Sequence, residues 1–347
     1  MDSVIGNESL LALVDRPAFF VQGDQIVQAN EAARCRFICE GDPLSKYLPQ
    51  VPDIYREFTR GCLFLNLTVQ NLCCPACVTR QEAGDLFVMD IRTDATSRSL
   101  ALASTQLRQN LNVIYTVVDS ISDQSQLGPL NQALMQMHRV LCNMSDLARY
   151  EDPHAARMAA TNLSSVFTET MEKCQTLLEK TGYRFRYQAE ENVFGMADQE
   201  MIERALWNLL SNAIKFSSKN STVEAAMSRS GNLLRFTIRD QGDGIRPEIL
   251  QQAYNRYMRE PTIEDSRHGI GLGLALVSAV AALHGGTVLI DQPQGGGTRV
   301  TMTMTIKPCT DHTLRSPVVS LFADYCGGHD HGLLELSDVL PATLYNE

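Results

Sequence analysis

The 347-residue sequence has no excess of basic residues and no basic stripe. It contains 30 lysines and arginines against 40 aspartates and glutamates, a formal net charge of −10 at pH 7. Nucleic acid and anionic membrane surfaces are therefore poor partner candidates. The sequence also has no low-complexity region and no long repeat. Its length predicts two or three globular domains, each large enough to bury a core.

A signal peptide is not evident, because Asp2 and Glu8 come before any apolar run. Residues 269–290 contain no Asp, Glu, Lys or Arg, and a run of this length is long enough for a membrane helix. Its glycines, including the Gly-Gly pair after His284, favour a core helix followed by a turn and a strand. We therefore expect no membrane span and a cytoplasmic location.

Residues 208–216 carry two asparagines and a lysine at helical spacing. Asn208 and Asn212 are four residues apart and Lys215 follows three residues later, so on a helix the three side chains share one face. An amide oxygen ligates Mg²⁺ without adding negative charge beside a triphosphate, and a lysine binds phosphate as a point charge. The pattern predicts Asn212 as a Mg²⁺ ligand, and Asn208 and Lys215 as catalytic and ATP-binding residues.

Two glycine-containing motifs follow in the chain. Asp240 comes directly after an alternating stretch that predicts a strand, and a carboxylate there accepts a hydrogen bond from an exocyclic amine such as that of adenine. Gly242 and Gly244 leave room for a ring on the turn. A second glycine group is expected to open a helix, where free N–H groups and the helix dipole favour phosphate. Its members are Gly269, Gly271 and Gly273.

Each motif alone is a weak signal, since a polar helix face or a plain turn also explains it. Together, in this order within residues 207–273, they resemble the N, G1 and G2 boxes of the histidine-kinase branch of the GHKL ATPases. Residues 254–259 resemble the F box of the mobile ATP lid. The resemblance implies phosphate contacts from Arg256 and Arg259, with surface ion pairs as an equal alternative, and it places the Thr298 hydroxyl near the adenine. It covers residues 155–308 and implies ATP and Mg²⁺ as cofactors.

Two heptad stripes precede these motifs, and we expect a turn through Gly128 and Pro129 to join them. The stripes run over residues 100–121 and 130–148, each with alternating spacings of four and three. A two-helix hairpin cannot bury both stripes alone, so a dimeric four-helix bundle is expected. The histidine-kinase dimerisation and phosphoacceptor domain has this architecture.

Residues 103–111 resemble the family's H box, but Thr105 stands where the acceptor histidine is usual and Gln106 where the glutamate is usual. An imidazole is a good nucleophile near neutral pH, and the neighbouring carboxylate orients it. A threonine hydroxyl needs a strong base, which an amide is not. Self-phosphorylation at the acceptor position is therefore in doubt. His138 on the second helix is one alternative acceptor, and the Thr105 or Ser104 alcohol is another.

The first part of the chain predicts a small sensor domain. A strand, a Gly-Asp turn, a second strand and a helix entered at Asn30 are expected from residue 17 onwards, with further strands at residues 62–70 and 85–91. This opening is similar to that of a PAS domain.

Cysteines are frequent in this first part, which holds six of the ten: Cys35, Cys39, Cys62, Cys73, Cys74 and Cys77. A C-x₂-C and a C-x₃-C pair favour a metal or redox site, with small buried hydrophobic residues as the alternative. Near the other end of the chain, Cys326, His329 and His331 are possible metal donors, with a glycine turn beside chance histidines as the alternative. Residues 333–340 have enough apolar side chains to dock as a helix.

The sequence thus predicts an α+β multidomain protein. We expect a PAS-like α/β sensor, a helical-hairpin dimerisation bundle, an α/β-sandwich ATP-binding domain and a C-terminal extension at residues 1–95, 96–152, 153–308 and 309–347. The sandwich is expected to be a mixed sheet with helices on one face. The predicted function is two-component signalling by a homodimer that transfers the γ-phosphoryl group of Mg-ATP to a protein side chain, with a response regulator as partner. The alternative, favoured by Thr105 and Gln106, is a catalytically degenerate ATP-binding switch that regulates a partner by contact.

Overall fold

A computed structural model describes residues 11, 14, 16–49, 51–70, 72–89, 107, 111, 114, 127–179, 181–218, 220–242, 244, 272–306 and 330–345. Several predicted functional positions lie outside these residues: Thr105, Arg256, Arg259, Gly269 and Gly271. Most of the first heptad helix, Cys326 and His329 also lie outside them.

Twelve strands lie in the described ranges. The first five are Ala18–Gln22 (β1), Gln25–Ala29 (β2), Cys62–Val69 (β3), Leu72–Gln81 (β4) and Gly84–Met89 (β5). The others are Ala159–Asn162 (β6), Arg184–Ala189 (β7), Phe194–Ala197 (β8), Thr222–Ser230 (β9), Leu233–Arg239 (β10), Val288–Asp291 (β11) and Arg299–Thr305 (β12). Ten of them form one sheet in the order β2-β1-β5-β4-β3-β11-β12-β10-β9-β7, and β6 pairs with β8.

The described helices are Glu31–Arg34 (α1), Asp53–Glu57 (α2), Leu127–Arg149 (α3), Leu163–Leu178 (α4), Gln199–Phe216 (α5), Gly273–Leu283 (α6) and His331–Glu335 (α7). Short 3₁₀ turns occur at Leu44–Lys46 and Ala342–Tyr345. Within the residues that the structure describes, no helix combines the length and the apolar character needed to cross a membrane.

The predicted opening of the chain is confirmed. β1 and β2 form a hairpin through Gly23, and Asn30 caps helix α1 by accepting a hydrogen bond from the Ala33 N–H at 2.9 Å. The same Asn30 oxygen accepts the Ala18 N–H at 3.0 Å. One side chain thus fixes both the start of the first strand and the start of the first helix.

The sequence analysis predicts neither β4 nor β6–β9. In β4, Pro75 and three cysteines interrupt the strand pattern. The structure tolerates the proline by position. Pro75 lies opposite Asn66 of β3, whereas the pairing of β4 with β5 begins only at Ala76. A residue with no N–H is compatible with a strand that has a partner on one side only.

The second part of the sheet has the expected layered form. β7 and β9 are parallel and the other neighbouring strands are antiparallel, so this part is mixed. Burial alternates along β10, and Phe236 stacks near Phe167 of α4 with ring centroids 5.9 Å apart. Helices α4, α5 and α6 share one apolar core with the buried face of these strands, and Trp207 lies fully buried within it.

The two parts of the sheet meet at β3 and β11, where Leu63 lies opposite Leu289. Alternation along β3 places Leu63 in the N-terminal core and its neighbours Cys62 and Phe64 in the C-terminal core. A single strand therefore contributes to both cores.

Helix α3 corrects one prediction. Gly128 and Pro129 do not form a turn between two helices, because α3 already begins at Leu127. Proline is compatible with the first helical turn, where its missing N–H has no intrahelical partner. In the heptad stripe, Leu134 and Leu141 pack with Leu111 of the first predicted helix.

The C-terminal residues dock as predicted, but not mainly as a helix: the helix ends at Glu335 and turns follow it. Helix α7 and the turns after it pack against α3, α4 and α5. Their buried apolar side chains are Leu334, Leu336, Leu340 and Tyr345. These contacts place the C-terminal segment beside α5, the helix that carries the asparagine pair.

Candidate functional site

Helix α5 carries the asparagine pair and the lysine. It begins at Asp198, whose side chain caps it by accepting the Met201 N–H at 3.1 Å. Asn208 is fully buried, whereas Asn212 and Lys215 are partly buried. A single helix thus places the three predicted polar side chains along one face.

Gly273, the first residue of α6, lies against the asparagine pair. A Cβ atom on this residue would be 2.9 Å from Asn208 Oδ1 and 3.5 Å from Asn212 Nδ2. Glycine therefore gives the two amides room beside the start of α6. The N-cap residue Leu272 makes no side-chain capping hydrogen bond among the described residues, and the N–H groups of a first helical turn have the polarity that suits an anion.

Asn208 is covered by helix α3. Its Nδ2 donates to the Arg204 carbonyl oxygen at 3.0 Å, one turn earlier on α5. Its Oδ1 lies 3.5 Å from Nδ2 of Asn143 on α3. The first asparagine of the motif is therefore engaged on both sides by the protein itself.

Lys215 is engaged by the C-terminal segment. Its Nζ lies 3.1 Å from Oδ2 of Asp338, and the same oxygen lies 3.0 Å from Nη1 of Arg139 on α3. The cation predicted to bind phosphate thus has a carboxylate as its partner in this structure.

Arg204 is the centre of a buried ionic network and is itself fully buried. Its guanidinium contacts Asp146 of α3 at 2.8 Å and Glu335 of α7 at 3.2 Å, and it donates to Asn143 Oδ1 at 2.9 Å. Glu335 also accepts from Arg139 at 3.0 Å. The network joins α3, α5 and α7 directly behind the asparagine pair.

Asp240 and Thr298, 58 residues apart, form the other end of the site. Oδ1 of Asp240 accepts the Thr298 N–H at 3.0 Å and the Gly242 N–H at 2.9 Å. In return, the Asp240 N–H donates to the Thr298 carbonyl oxygen at 2.9 Å. Burial raises the pKa of the Asp240 carboxyl above its ordinary value, although these hydrogen bonds oppose the shift.

Gly242 links this carboxylate to the asparagine-bearing helix. A Cβ atom there would overlap the carbonyl oxygen of Phe216, the last residue of α5. Gly244 has a φ of +77°, a conformation that glycine adopts without strain. Close backbone approach is thus a second reason for glycine at position 242, besides room for a ring.

The residues that carry this geometry lie in a segment with known relatives. Residues 197–308 match the family described as "Histidine kinase-, DNA gyrase B-, and HSP90-like ATPase". This segment is a histidine-kinase-type ATPase domain. The prediction from the three motifs is therefore confirmed at the level of the family.

Two curated proteins that are similar to this chain are sensor proteins by name. One is "Uncharacterized sensor-like histidine kinase R01002" of Rhizobium meliloti (strain 1021), 29% identical over 228 residues, which are 61% of this chain and 43% of that protein. Another is "Sensor protein RstB" of Escherichia coli (strain K12), 33% identical over 178 residues, which are 51% of this chain and 38% of that protein. The chain thus spans less than half the length of these two curated relatives.

Among solved structures, "Mycobacterial sensor histidine kinase MprB" is similar to part of this chain. The likeness covers 44% of this chain and 99% of that chain, with 25% sequence identity and a TM-score of 0.38.

The structure does not favour His138 as the phosphoryl acceptor or the C-x₂-C pair as a metal site. His138, the alternative acceptor on α3, is only 2% exposed, so its ring is shielded from a nucleotide in this conformation. Cys74 and Cys77 lie three residues apart on β4. Successive side chains of a strand alternate between its faces, so this C-x₂-C pair does not converge on one ion.

The other possible metal donors do not lie together either. Cys35 and Cys39 are exposed, and His331 Nδ1 lies 3.1 Å from Glu203. The structure shows no cluster of three or more His, Cys, Asp or Glu suited to a metal in the part of the chain that it describes.

Several residues around the ATPase domain were missed from the sequence. Arg204 lies four residues before Asn208, so helical periodicity would have been a usable signal that it shares the same face. Glu335 and Asp338 lie in the apolar C-terminal run that predicted a docking helix. Acidic residues within such a run indicate that basic partners lie on the surface to which it docks. Nothing local indicated that their partners are on α3 and α5.

Proposed function

We propose that this protein is a histidine-kinase-like signalling protein that binds Mg-ATP and transfers the γ-phosphoryl group to a protein side chain. The observation that carries the proposal is that the Asp240 end and the Asn208 end of the site both pack against helix α5. Gly242 packs Asp240 against the end of α5, and Gly273 packs the start of α6 against Asn208. Both the proposed adenine acceptor and the proposed phosphate-binding face thereby lie against helix α5, and we propose that they line one nucleotide pocket.

The donor set at each end fits the proposed ligand. Asp240, held by two backbone N–H groups, is suited to accept the exocyclic amine of adenine beside Thr298. Asn212 would hold Mg²⁺ by its amide oxygen, which neutralises phosphate charge when bound. Asn208 and Lys215 would orient the phosphates, and the backbone at Gly273 would approach them closely.

The residues outside the described ranges complete the proposal from the sequence alone. Gly269 and Gly271 would extend the phosphate-binding loop ahead of α6. Arg256 and Arg259 would contact phosphate from the lid. These four positions rest on the resemblance to the G2 and F boxes.

The acceptor is the open chemical question within this proposal. Thr105 replaces the usual histidine, and an alcohol is activated only by a stronger base than Gln106 supplies. We therefore place the acceptor either on an alcohol of this chain or on a partner protein.

The remaining parts support a signalling role. The five-stranded antiparallel unit β1–β5 with helix α1 after its first hairpin is consistent with a PAS-like sensor. Four apolar residues of the two heptad stripes are exposed in the single chain: Leu107, Ile114, Leu130 and Met137. Burial of these side chains against a second copy favours a homodimer. A reaction that consumes ATP and addresses a response regulator belongs in the cytoplasm.

A second candidate function follows from the same acceptor. The loss of both the histidine and the carboxylate at positions 105 and 106 favours an ATP-binding switch that regulates a partner by contact. In that case, nucleotide binding changes the arrangement of α3 relative to the ATPase domain without phosphoryl transfer.

Incubation of the purified protein with Mg-[γ-³²P]ATP separates the two candidates. Acid and alkali treatment of the labelled chain then identifies the acceptor, because phosphohistidine survives alkali and phosphothreonine survives acid. Alkali-labile label that Thr105→Ala removes would establish an alcohol acceptor, with Asp240→Asn as the nucleotide-binding control. Absence of label despite measured nucleotide binding, with and without a candidate response regulator, would favour the switch.

A further inference from the structure

We propose that residues 330–345, named here the C-terminal clamp, form an autoinhibitory element that closes the phosphate end of the ATPase domain. The inference rests on the proposed function, since it assumes that Asn208 and Lys215 serve ATP. Four kinds of contact of the described residues carry it.

The clamp is joined to α3 by amide side chains that donate to its backbone. Gln132 Nε2 donates to the carbonyl oxygens of Ser337 at 2.8 Å and Leu340 at 2.7 Å. One turn later, Gln136 Nε2 donates to Ser337 at 2.9 Å, and Asn131 Nδ2 donates to the Tyr345 carbonyl at 3.0 Å. Such repeated side chain to backbone bonds fix the clamp in one register on the helix.

A fully buried carboxylate ties the clamp to both helices. Glu335 has no exposed surface and lies between Arg139 of α3 and Arg204 of α5. A buried charge of this kind requires its partners to stay in place, because an unpaired buried charge is costly. Glu335 therefore holds α3 against α5.

The clamp also places the Asp338 carboxylate against Lys215, the cation that the proposed function assigns to phosphate. Asp338 Oδ2 lies 3.1 Å from Lys215 Nζ. A phosphate oxygen at Lys215 would meet the same donor and the repulsion of this carboxylate. Asp338 and the triphosphate are thus competing partners of one lysine.

Helix α3, which the clamp holds, covers the other phosphate-side residue. Asn143 of α3 lies against the fully buried Asn208. For Asn208 and Lys215 to contact a triphosphate, α3 and the clamp have to move together. The clamped state and the productive nucleotide-bound state are therefore mutually exclusive, and nucleotide affinity is lowered by the free energy of clamp release.

The test uses full-length variants and Mg-AMPPNP as the probe. Asp338→Asn removes the competing charge, and Arg139 retains its ion pair with Glu335 at 3.0 Å. The matched control is Asp53→Asn, whose carboxylate is 72% exposed in the N-terminal part. Isothermal titration gives the Kd of each protein. Hydrogen–deuterium exchange of peptides from residues 330–345, with and without saturating probe, reports clamp release directly.

We expect Asp338→Asn to bind Mg-AMPPNP about 5-fold more tightly or better, the control to match the unaltered protein, and the probe to raise exchange in residues 330–345. Equal Kd values for all three proteins, with clamp exchange unchanged at saturation, would overturn the clamp and leave the proposed function standing. Failure of every folded variant to bind the probe would overturn the proposed function and the clamp with it.

Discussion

The two ends of the proposed nucleotide pocket are held by different groups. At the Asp240 end, a buried carboxylate is fixed by backbone N–H groups from Gly242 and Thr298. At the Lys215 end, the polar groups are engaged by side chains from α3 and the C-terminal clamp. We therefore propose that the Asp240 end is preformed for a base and that access to the Lys215 end depends on the positions of α3 and the clamp.

The largest expected effect concerns the ionic network behind the phosphate end. Glu335→Ala leaves Arg139 and Arg204 without their shared buried carboxylate, and we expect the free energy of unfolding to fall by about 3–5 kcal/mol. Urea denaturation followed by circular dichroism measures it. The matched control is Glu57→Ala, whose exposed carboxylate pairs with Arg235 at 2.9 Å and whose loss is expected to cost less than about 1 kcal/mol. Similar losses for both variants would show that burial of Glu335 does not matter.

An intermediate effect is expected where α6 meets the asparagine pair. In Gly273→Ala, the added Cβ atom would lie 2.9 Å from Asn208 Oδ1 and would displace the amide. We expect Mg-ATP affinity to fall about 10-fold, which corresponds to about 1.4 kcal/mol. Stability should change by less than about 1 kcal/mol, because alanine favours the helix. Calorimetric titration and urea denaturation of the same variant separate the two effects, and unchanged affinity would contradict the assigned role of Gly273.

The smallest expected effect is a pH dependence at the base end. Burial raises the pKa of Asp240 above 3.8, so the folded state binds this proton more tightly than the unfolded state does. Its contribution to stability is present at low pH and is lost as pH rises through the raised pKa. Relative to Asp240→Asn, the unaltered protein should therefore lose stability as the pH rises through that window. Urea denaturation of both proteins over a pH series measures the stability of the unaltered protein minus that of Asp240→Asn. An increase of this value with rising pH would refute the assignment.

Individual helices and strands of the ATPase domain were predictable because each depends on the pattern of apolar residues within its own short segment. The alternation of residues 233–239 predicted strand β10, and the 269–290 run predicted the helix, turn and strand of α6 and β11. Strand β4 was missed because Pro75 and the cysteines are poor strand residues, and the sheet tolerates them only through its one-sided pairing. The turn expected at Gly128 and Pro129 was wrong because the same two residues also suit the start of a helix.

The phosphate end was predictable only in part. Helical spacing placed Asn208, Asn212 and Lys215 together, and the family resemblance alone indicated that Thr298 belongs beside Asp240. The pairing of Lys215 with Asp338 spans 123 residues and depends on how α3 and the clamp dock. No local propensity encodes such a contact.

The most direct test of the two-ended pocket is a pair of calorimetric titrations, with adenosine and with Mg-ATP, on the unaltered protein and on Asp338→Asn. If the base end is preformed and the clamp closes only the phosphate end, both proteins should bind adenosine with the same Kd. Asp338→Asn should gain affinity for Mg-ATP alone. An equal gain for adenosine and Mg-ATP, or no gain for either, would contradict the account.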